Sequence, residues 1–196
     1  MNRTHSHKRS RGFSLLEATI VVSMLLAISA IATPNMMTVI ANARLRGGAT
    51  SLSGLLQNSR MMAVKLNKIE TVHFTVMSNG PVAYIDVKQT GSYASTDPQV
   101  QLGAPVTKVT TPTGVGAPPA IDDATLTFTN ARTEDPSFNV CGLPCTYSGG
   151  ACVNHGYVFY FTDTRPLGKS GWAAVSITPA GRIRTWFWNG YSWVNS

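Results

Sequence analysis

The stretch RGFSLLEATIVVSMLLAISAIATP, residues 11–34, decides how the rest of the chain reads. Residues 13–33 are almost wholly apolar, about long enough to cross a bilayer as a helix. Arg3, Lys8, Arg9 and Arg11 precede them, with no acid among the first twelve residues. Basic residues on one flank of an apolar run mark the cytoplasmic side. One carboxylate, Glu17, interrupts the run near its start. A carboxylate inside a bilayer helix costs roughly 3 kcal/mol at the centre, less toward the interface, and as a rule has a partner. Two ordinary readings leave Glu17 unexplained. One is a secretory signal cut after the small-x-small triplet Ala30-Ile31-Ala32. The other is a plain transmembrane anchor.

The sequence beyond Pro34 is not a linker. Residues 35–68 read NMMTVIANARLRGGATSLSGLLQNSRMMAVKLNK. Apolar or small residues recur at Val39, Ile40, Ala43, Leu45, Ala49, Leu52, Leu55, Leu56, Ser59, Met62, Ala63 and Leu66, which approximates the three-or-four spacing of one helical face. Arg44, Arg46, Gln57, Arg60 and Lys65 lie between them. The spacing predicts one helix from Phe13 to Leu66, apolar all round and then amphipathic, roughly 80 Å long at 1.5 Å per residue. Pro34 should kink it, and Gly47-Gly48 should weaken it.

These residues carry a resemblance. Arg11-Gly12-Phe13-Ser14-Leu15-Leu16-Glu17, the basic leader before it, the apolar run and Pro34 resemble the class III signal of type IV pilins and type II secretion pseudopilins. The resemblance implies cleavage by a prepilin peptidase between Gly12 and Phe13 and N-methylation of Phe13. It implies a single-pass inner-membrane protein with its C-terminal head in the periplasm, later drawn into a filament with other pilin or pseudopilin subunits. In that family the Glu matching Glu17 pairs with the N-terminal amine of a neighbouring subunit. A carboxylate and an ammonium in hydrocarbon each seek an opposite charge, which would set the register of assembly. The implied organisation is a cleaved leader (1–12), a transmembrane half-helix (13–34), an amphipathic half-helix (35–68) and a β-rich head (69–196).

The charge agrees with a topology signal. The chain of 196 residues carries a formal +7, but residues beyond the leader hold twelve basic and nine acidic side chains, only +3. After Asp163 come Arg165, Lys169, Arg182 and Arg184 and no acid. Cys141, Cys145 and Cys152 fall within twelve residues. In an exported head they allow one local disulfide and leave one thiol over, the pairing open. The rival is a zinc site with His155 as a fourth ligand, at a spacing that fits no common zinc pattern.

Period-two patterning and β-branched or aromatic residues predict strands at Glu70–Met77, Val82–Lys88, Ala124–Thr129, Gly156–Thr162, Ala173–Thr178 and Arg182–Trp188. Ser78-Asn79-Gly80-Pro81 and Pro179-Ala180-Gly181 read as the turns of two hairpins. The Pro- and Gly-rich stretches Gly103–Pro119 and Asn130–His155 read as loops. The expected fold is α+β, a long N-terminal helix packed by its amphipathic half on an antiparallel sheet or sandwich. This order, with Ile177-Thr178-Pro179-Ala180-Gly181-Arg182 near the end, resembles the GspH/FimT group of minor pilins and pseudopilins.

Neither a catalytic set nor a cofactor motif stands out. Gly168-Lys169-Ser170-Gly171 lacks the upstream glycine of a phosphate loop and reads as a turn, and His73 and His155 read as structural or surface histidines. The patch with binding chemistry is Gly181-Arg182-Ile183-Arg184-Thr185-Trp186-Phe187-Trp188. As a strand it places Arg182, Arg184, Trp186 and Trp188 on one face, offering phosphate neutralisation and base stacking. The Gly-Arg-x-Arg motif also resembles that of FimT-type pilins that bind DNA for natural transformation. That resemblance implies DNA contacts at Arg182 and Arg184, and charge alone adds Lys169 and Arg165. The competing reading is an edge strand whose arginines are solvated.

Overall fold

The computed structural model describes residues 14–103, 106–116, 131–165 and 170–195, with the side chains of Ile31, Pro34, Asn35 and Thr164 excepted. The fold is α+β. Helix α1 spans Leu15–Leu66 and is followed by eleven strands among the described residues. The chain divides between Met37 and Thr38 into two compact units.

In the first unit the helical side chains are exposed, Leu15, Leu16, Met24, Leu26 and Ile28 among them. The hydroxyls of Thr19, Ser23, Ser29 and Thr33 each donate to a carbonyl three or four residues back, at 2.7–2.8 Å. Among the described residues no helix is long and apolar enough to cross a membrane. Gly12 and Phe13 lie outside the described residues.

The second unit joins the later part of α1 to two antiparallel sheets. The six-stranded sheet has the order β3-β2-β1-β5-β6-β7, with β1 Glu70–Met77, β2 Gly80–Ile85, β3 Gln99–Gln101, β5 Ser137–Phe138, β6 Pro144–Ser148 and β7 Ala151–Asn154. The five-stranded sheet has the order β11-β10-β9-β8-β4, with β4 Thr107–Val109, β8 Tyr157–Thr164, β9 Ser170–Ile177, β10 Ile183–Trp188 and β11 Trp193–Asn195. Leu45, Ala49, Leu52, Leu56 and Ala63 present one helical stripe to a core that takes Val72, Ile85 and Phe138 from the first sheet. From the second sheet it takes Tyr157, Phe159, Phe161, Val175 and Ile177. The opposite face of the five-stranded sheet holds a smaller cluster of Val158, Tyr160, Trp172, Ala174, Trp186 and Trp193. Strands β8 and β9 are therefore buried on both faces, which is why Tyr157–Phe161 and Trp172–Ile177 contain so few polar residues.

Both hairpin turns form where expected. Met77 pairs with Gly80 across Ser78-Asn79. The N–H of Gly181 donates to the Thr178 carbonyl at the β9–β10 turn. Other boundaries move. The strand expected at Val82–Lys88 runs Gly80–Ile85, because the Asp86 carboxylate accepts the N–H groups of Thr90 and Gly91 and turns the chain. Arg182 belongs to the turn rather than to β10, its N–H donating to Thr178 Oγ1. The expected loop Asn130–His155 contains β5, β6 and β7, and the expected loop Gly103–Pro119 contains β4. These strands are short, and their pairing to β1 and β8 supplies the order that composition does not. The strand expected at Ala124–Thr129 lies outside the described residues.

Candidate functional site

The β9–β10 turn brings Arg182 beside the end of α1. Gly181 sits at φ +82°, the left-handed conformation that glycine adopts at no steric cost. Its carbonyl accepts a hydrogen bond from Arg60 Nη1 at 3.1 Å, across 121 residues of sequence. A Cβ at Gly181 would stand 3.3 Å from the Arg60 guanidinium. On its other side Arg60 passes Gly142, at φ +73°, where a Cβ would stand 3.1 Å from Arg60 Cγ. Two left-handed glycines from different sheets thus make the slot that holds one arginine.

Beside this slot lies a groove of about 580 Å³ lined by Gln57, Arg60, Met61, Val64, Lys65, Gly181, Arg182 and Ile183. Among the described residues its lining holds three cations and no carboxylate. Arg182 is exposed at its rim, and Arg184, two residues on in β10, is half-buried. Lys169 lies outside the described residues. Arg165 is not a surface cation. Its side chain is 11% exposed, donating from Nε to Asp163 Oδ1 at 2.9 Å and from Nη2 to Asn42 Oδ1 at 2.8 Å.

The indoles sit differently from the arginines. Trp186 is buried, and its Nε1 donates to Ser176 Oγ at 3.0 Å. Trp188 packs on the same cluster, its ring 5.8 Å from that of Trp193. The strand alternation reads as expected, with Ile183 and Phe187 turned to the main core. On that face Trp186 packs in a cluster with Tyr160, Trp172 and Trp193, so its indole is core and offers no stacking platform.

Helix residues Arg60 and Lys65 are the part of the groove that sequence reading left as an ordinary polar face. The available signal was indirect: glycines at 142 and 181 in turns that Arg60 fills.

Elsewhere, Cys145 and Cys152 are joined across the β6–β7 hairpin with Cα atoms 5.4 Å apart, and Cys141 is an exposed free thiol. Among the described residues no group of three or more His, Cys, Asp or Glu could hold a metal ion. His73 Nδ1 is 2.9 Å from Asp135 Oδ2, and that hydrogen bond raises the His73 pKa against the opposing effect of burial. Lys108 lies 3.9 Å from Asp135 Oδ1 and 3.9 Å from the centre of the Phe74 ring, and burial lowers its pKa. This group ties β1, β4 and the residues before β5 together. It contains no nucleophile set against a base.

No protein-family model, curated protein or solved structure matches the chain.

Proposed function

We propose that the chain is a minor pilin or pseudopilin, a non-enzymatic structural subunit of a type IV pilus or type II secretion pseudopilus. In this reading a prepilin peptidase cuts between Gly12 and Phe13. Residues 13–34 hold the protein in the inner membrane, and the β-rich head stands in the periplasm until assembly. The observation that carries the reading is the surface of the first unit. Its apolar side chains are exposed, and the hydroxyls of Thr19, Ser23, Ser29 and Thr33 on the same stretch already donate to helix carbonyls. Such a surface suits lipid or neighbouring helices. Glu17, exposed in the first turn, is then the one carboxylate of that surface, one helical turn from the amine that cleavage would create. N-terminal sequencing of membrane-extracted protein tests this. The expected mature start is Phe13, and a start at Thr33 would mean an ordinary signal peptide and end the pilin reading.

A second reading adds DNA capture to the same subunit. It is supported by Arg182 at a groove whose described lining residues are basic, polar and apolar, with Arg184 two residues on in β10. The contact would be to the phosphate backbone and indifferent to sequence. Binding of the full-length chain in detergent to duplex DNA, wild type against Arg182→Ala/Arg184→Ala, tests it. The double variant is expected to flatten the slope of log affinity against log salt by about 2. Equal affinity in both folded proteins would leave a purely structural pilin.

A further inference from the structure

The turn at the other end of β10, Asn189-Gly190-Tyr191-Ser192, holds an aromatic ring out in solvent. Tyr191 is 94% exposed. The loop beneath it is fixed. The N–H of Asn189 donates to the Ser192 carbonyl at 3.1 Å, and Asn189 Oδ1 accepts the N–H groups of Tyr191 and Ser192, both at 2.9 Å. Trp188 pairs with Trp193 below the turn, and both belong to the smaller aromatic cluster. A ring on a turn ordered in advance loses little conformational freedom when a partner takes it, which suits tyrosine to anchor interfaces. The groove at the end of α1 has the complementary features. Met61, 64% exposed, and Val64, 52% exposed, line it with Ile183, and Gln57 is exposed beside them. Arg60 is held there by the neutral Gly181 carbonyl, which leaves its charge in place. The same helix shows what such an arginine does with a ring. Arg46, fourteen residues and about four turns earlier, places its Cζ 5.1 Å from the centre of the Phe187 ring. At Arg60 the described lining of the groove holds no aromatic ring. Tyr191 offers one, with an electron-rich face for the cation and no charged residue anywhere in 188–195 to oppose it. It cannot reach the groove of its own chain, because Ile183–Trp188 alone separates the two by about 17 Å of strand.

We propose that Tyr191 of one copy of this chain docks into the groove beside Arg60 of a second copy, its ring against Met61, Val64 and Ile183, its face to the guanidinium and its hydroxyl toward Gln57. Knob and groove are different patches, so the contact is heterologous: each copy in a pair keeps one of the two unused, and the contact repeats head to tail. The proposal deepens the filament reading above and rests on it for the array of copies. A tyrosine buries about 200 Å², against roughly 1,200 Å² for a stable interface. The contact therefore acts between copies already concentrated in one membrane, and does not by itself dimerise the chain in solution.

The experiment places one thiol at each side of the contact in the full-length chain, with Cys141→Ser removing the native one. Lys65→Cys sits at the groove and Ser192→Cys beside the knob, both at exposed positions. Two tagged chains, one with each substitution, are co-expressed and treated in native membranes with a short thiol–thiol cross-linker. The expected product is the mixed dimer, with neither homodimer, and a chain carrying both thiols should give a ladder. Adding Tyr191→Ala to the Ser192→Cys chain should lower the mixed dimer about fivefold or more, and Tyr191→Phe should retain most of it. Tyr191→Ala is expected to keep the melting temperature of its parent, since the side chain touches solvent. Absence of the mixed dimer, a yield indifferent to Tyr191→Ala, or homodimers in equal amount would each overturn the proposal. So would capture of a different protein at Lys65→Cys without the mixed dimer, which would give the groove to another partner. N-terminal sequencing of the same membranes separates the two readings. A start at Phe13 without the cross-link removes this contact and leaves the filament subunit, whereas a Tyr191-dependent ladder with a start at Thr33 keeps the contact and ends the pilin reading.

Discussion

At the scale of single residues, two buried polar arrangements set sharp expectations. Asp163 is buried, and one carboxylate oxygen accepts both the Arg165 guanidinium at 2.9 Å and the Gly171 N–H at 2.8 Å. A Cβ at Gly171 would overlap that guanidinium and crowd the carboxylate. Gly171→Ala should therefore break a buried ion pair and destabilise the head by about 3 kcal/mol, as read by urea unfolding. The second arrangement is His73 with Asp135. Its hydrogen bond raises the folded-state pKa of His73 above 6.5, and a group so raised stabilises the fold fully below its unfolded pKa. That contribution is lost as pH rises through the folded value. Melting temperature should fall as pH climbs from about 6 to 8, and Asp135→Asn should flatten that part of the profile. Asp86 and Lys108 also stand close and shape the curve. The lowered pKa of Asp86 reflects burial, which alone would raise it, overcome by the Gly91 and Thr90 N–H groups, so its effect appears only at acid pH. Burial of Glu70 acts in the same sense as His73 but in the carboxylate range.

Among the elements, the β6–β7 hairpin is the one that depends on a covalent link. Its strands are five and four residues long, at the edge of the sheet, with Tyr147 and Val153 exposed. Closing a loop this short by a disulfide stabilises by about 2 kcal/mol in the chain-entropy account. Cys145→Ser/Cys152→Ser, or reductant on the wild type, should lower the unfolding free energy by that amount, read as a lower midpoint of urea unfolding. Cys141→Ser should leave it unchanged. The same hairpin marks the limit of what the sequence discloses. β1 was legible because Val72 and Phe74 face one way and Thr71 and His73 the other, a local pattern. Residues 137–154 were read as loop because prolines, glycines and short polar runs dominate, and their strands exist by pairing with β1 and with each other. β10 shows the intermediate case. Alternation gave the correct partition of Arg184 and Trp186 from Ile183 and Phe187. It could not tell that the indole face would be closed into a cluster with Trp193, whose Nε1 donates to the Gly116 carbonyl, and with Val109 and Val115 packed against it. Of the candidate groove, Arg182 was found by motif. Arg60 was not, because its partner lies 121 residues away.

For the whole molecule, the proposed filament role is tested at Glu17, in the first turn of α1. Glu17→Ala should be cut at Gly12–Phe13 and inserted as the wild type is, yet be depleted from sheared filament fractions. The expected loss is tenfold or more, because an ammonium left in hydrocarbon without its carboxylate costs roughly 2 kcal/mol or more. Immunoblots of membrane and filament fractions check it, and equal incorporation would end the pairing account. The head should be indifferent to this change, with the same urea midpoint in variant and wild type.

Arg60 has one more consequence. The turn at Gly142 leaves the six-stranded sheet, the turn at Gly181 leaves the five-stranded sheet, and a single side chain rooted in α1 touches both. It works as a pin set against two turns that also approach each other, a Cβ at Gly181 standing 3.4 Å from the Gly142 carbonyl oxygen. A methyl group added at Gly142 would push on the pin, and the displacement would be felt at Arg182, in a turn whose own sequence is untouched. Sequence drift in the cysteine-bearing segment is thereby coupled to the shape of the basic groove. The two glycines and the arginine would have to change together or stay together.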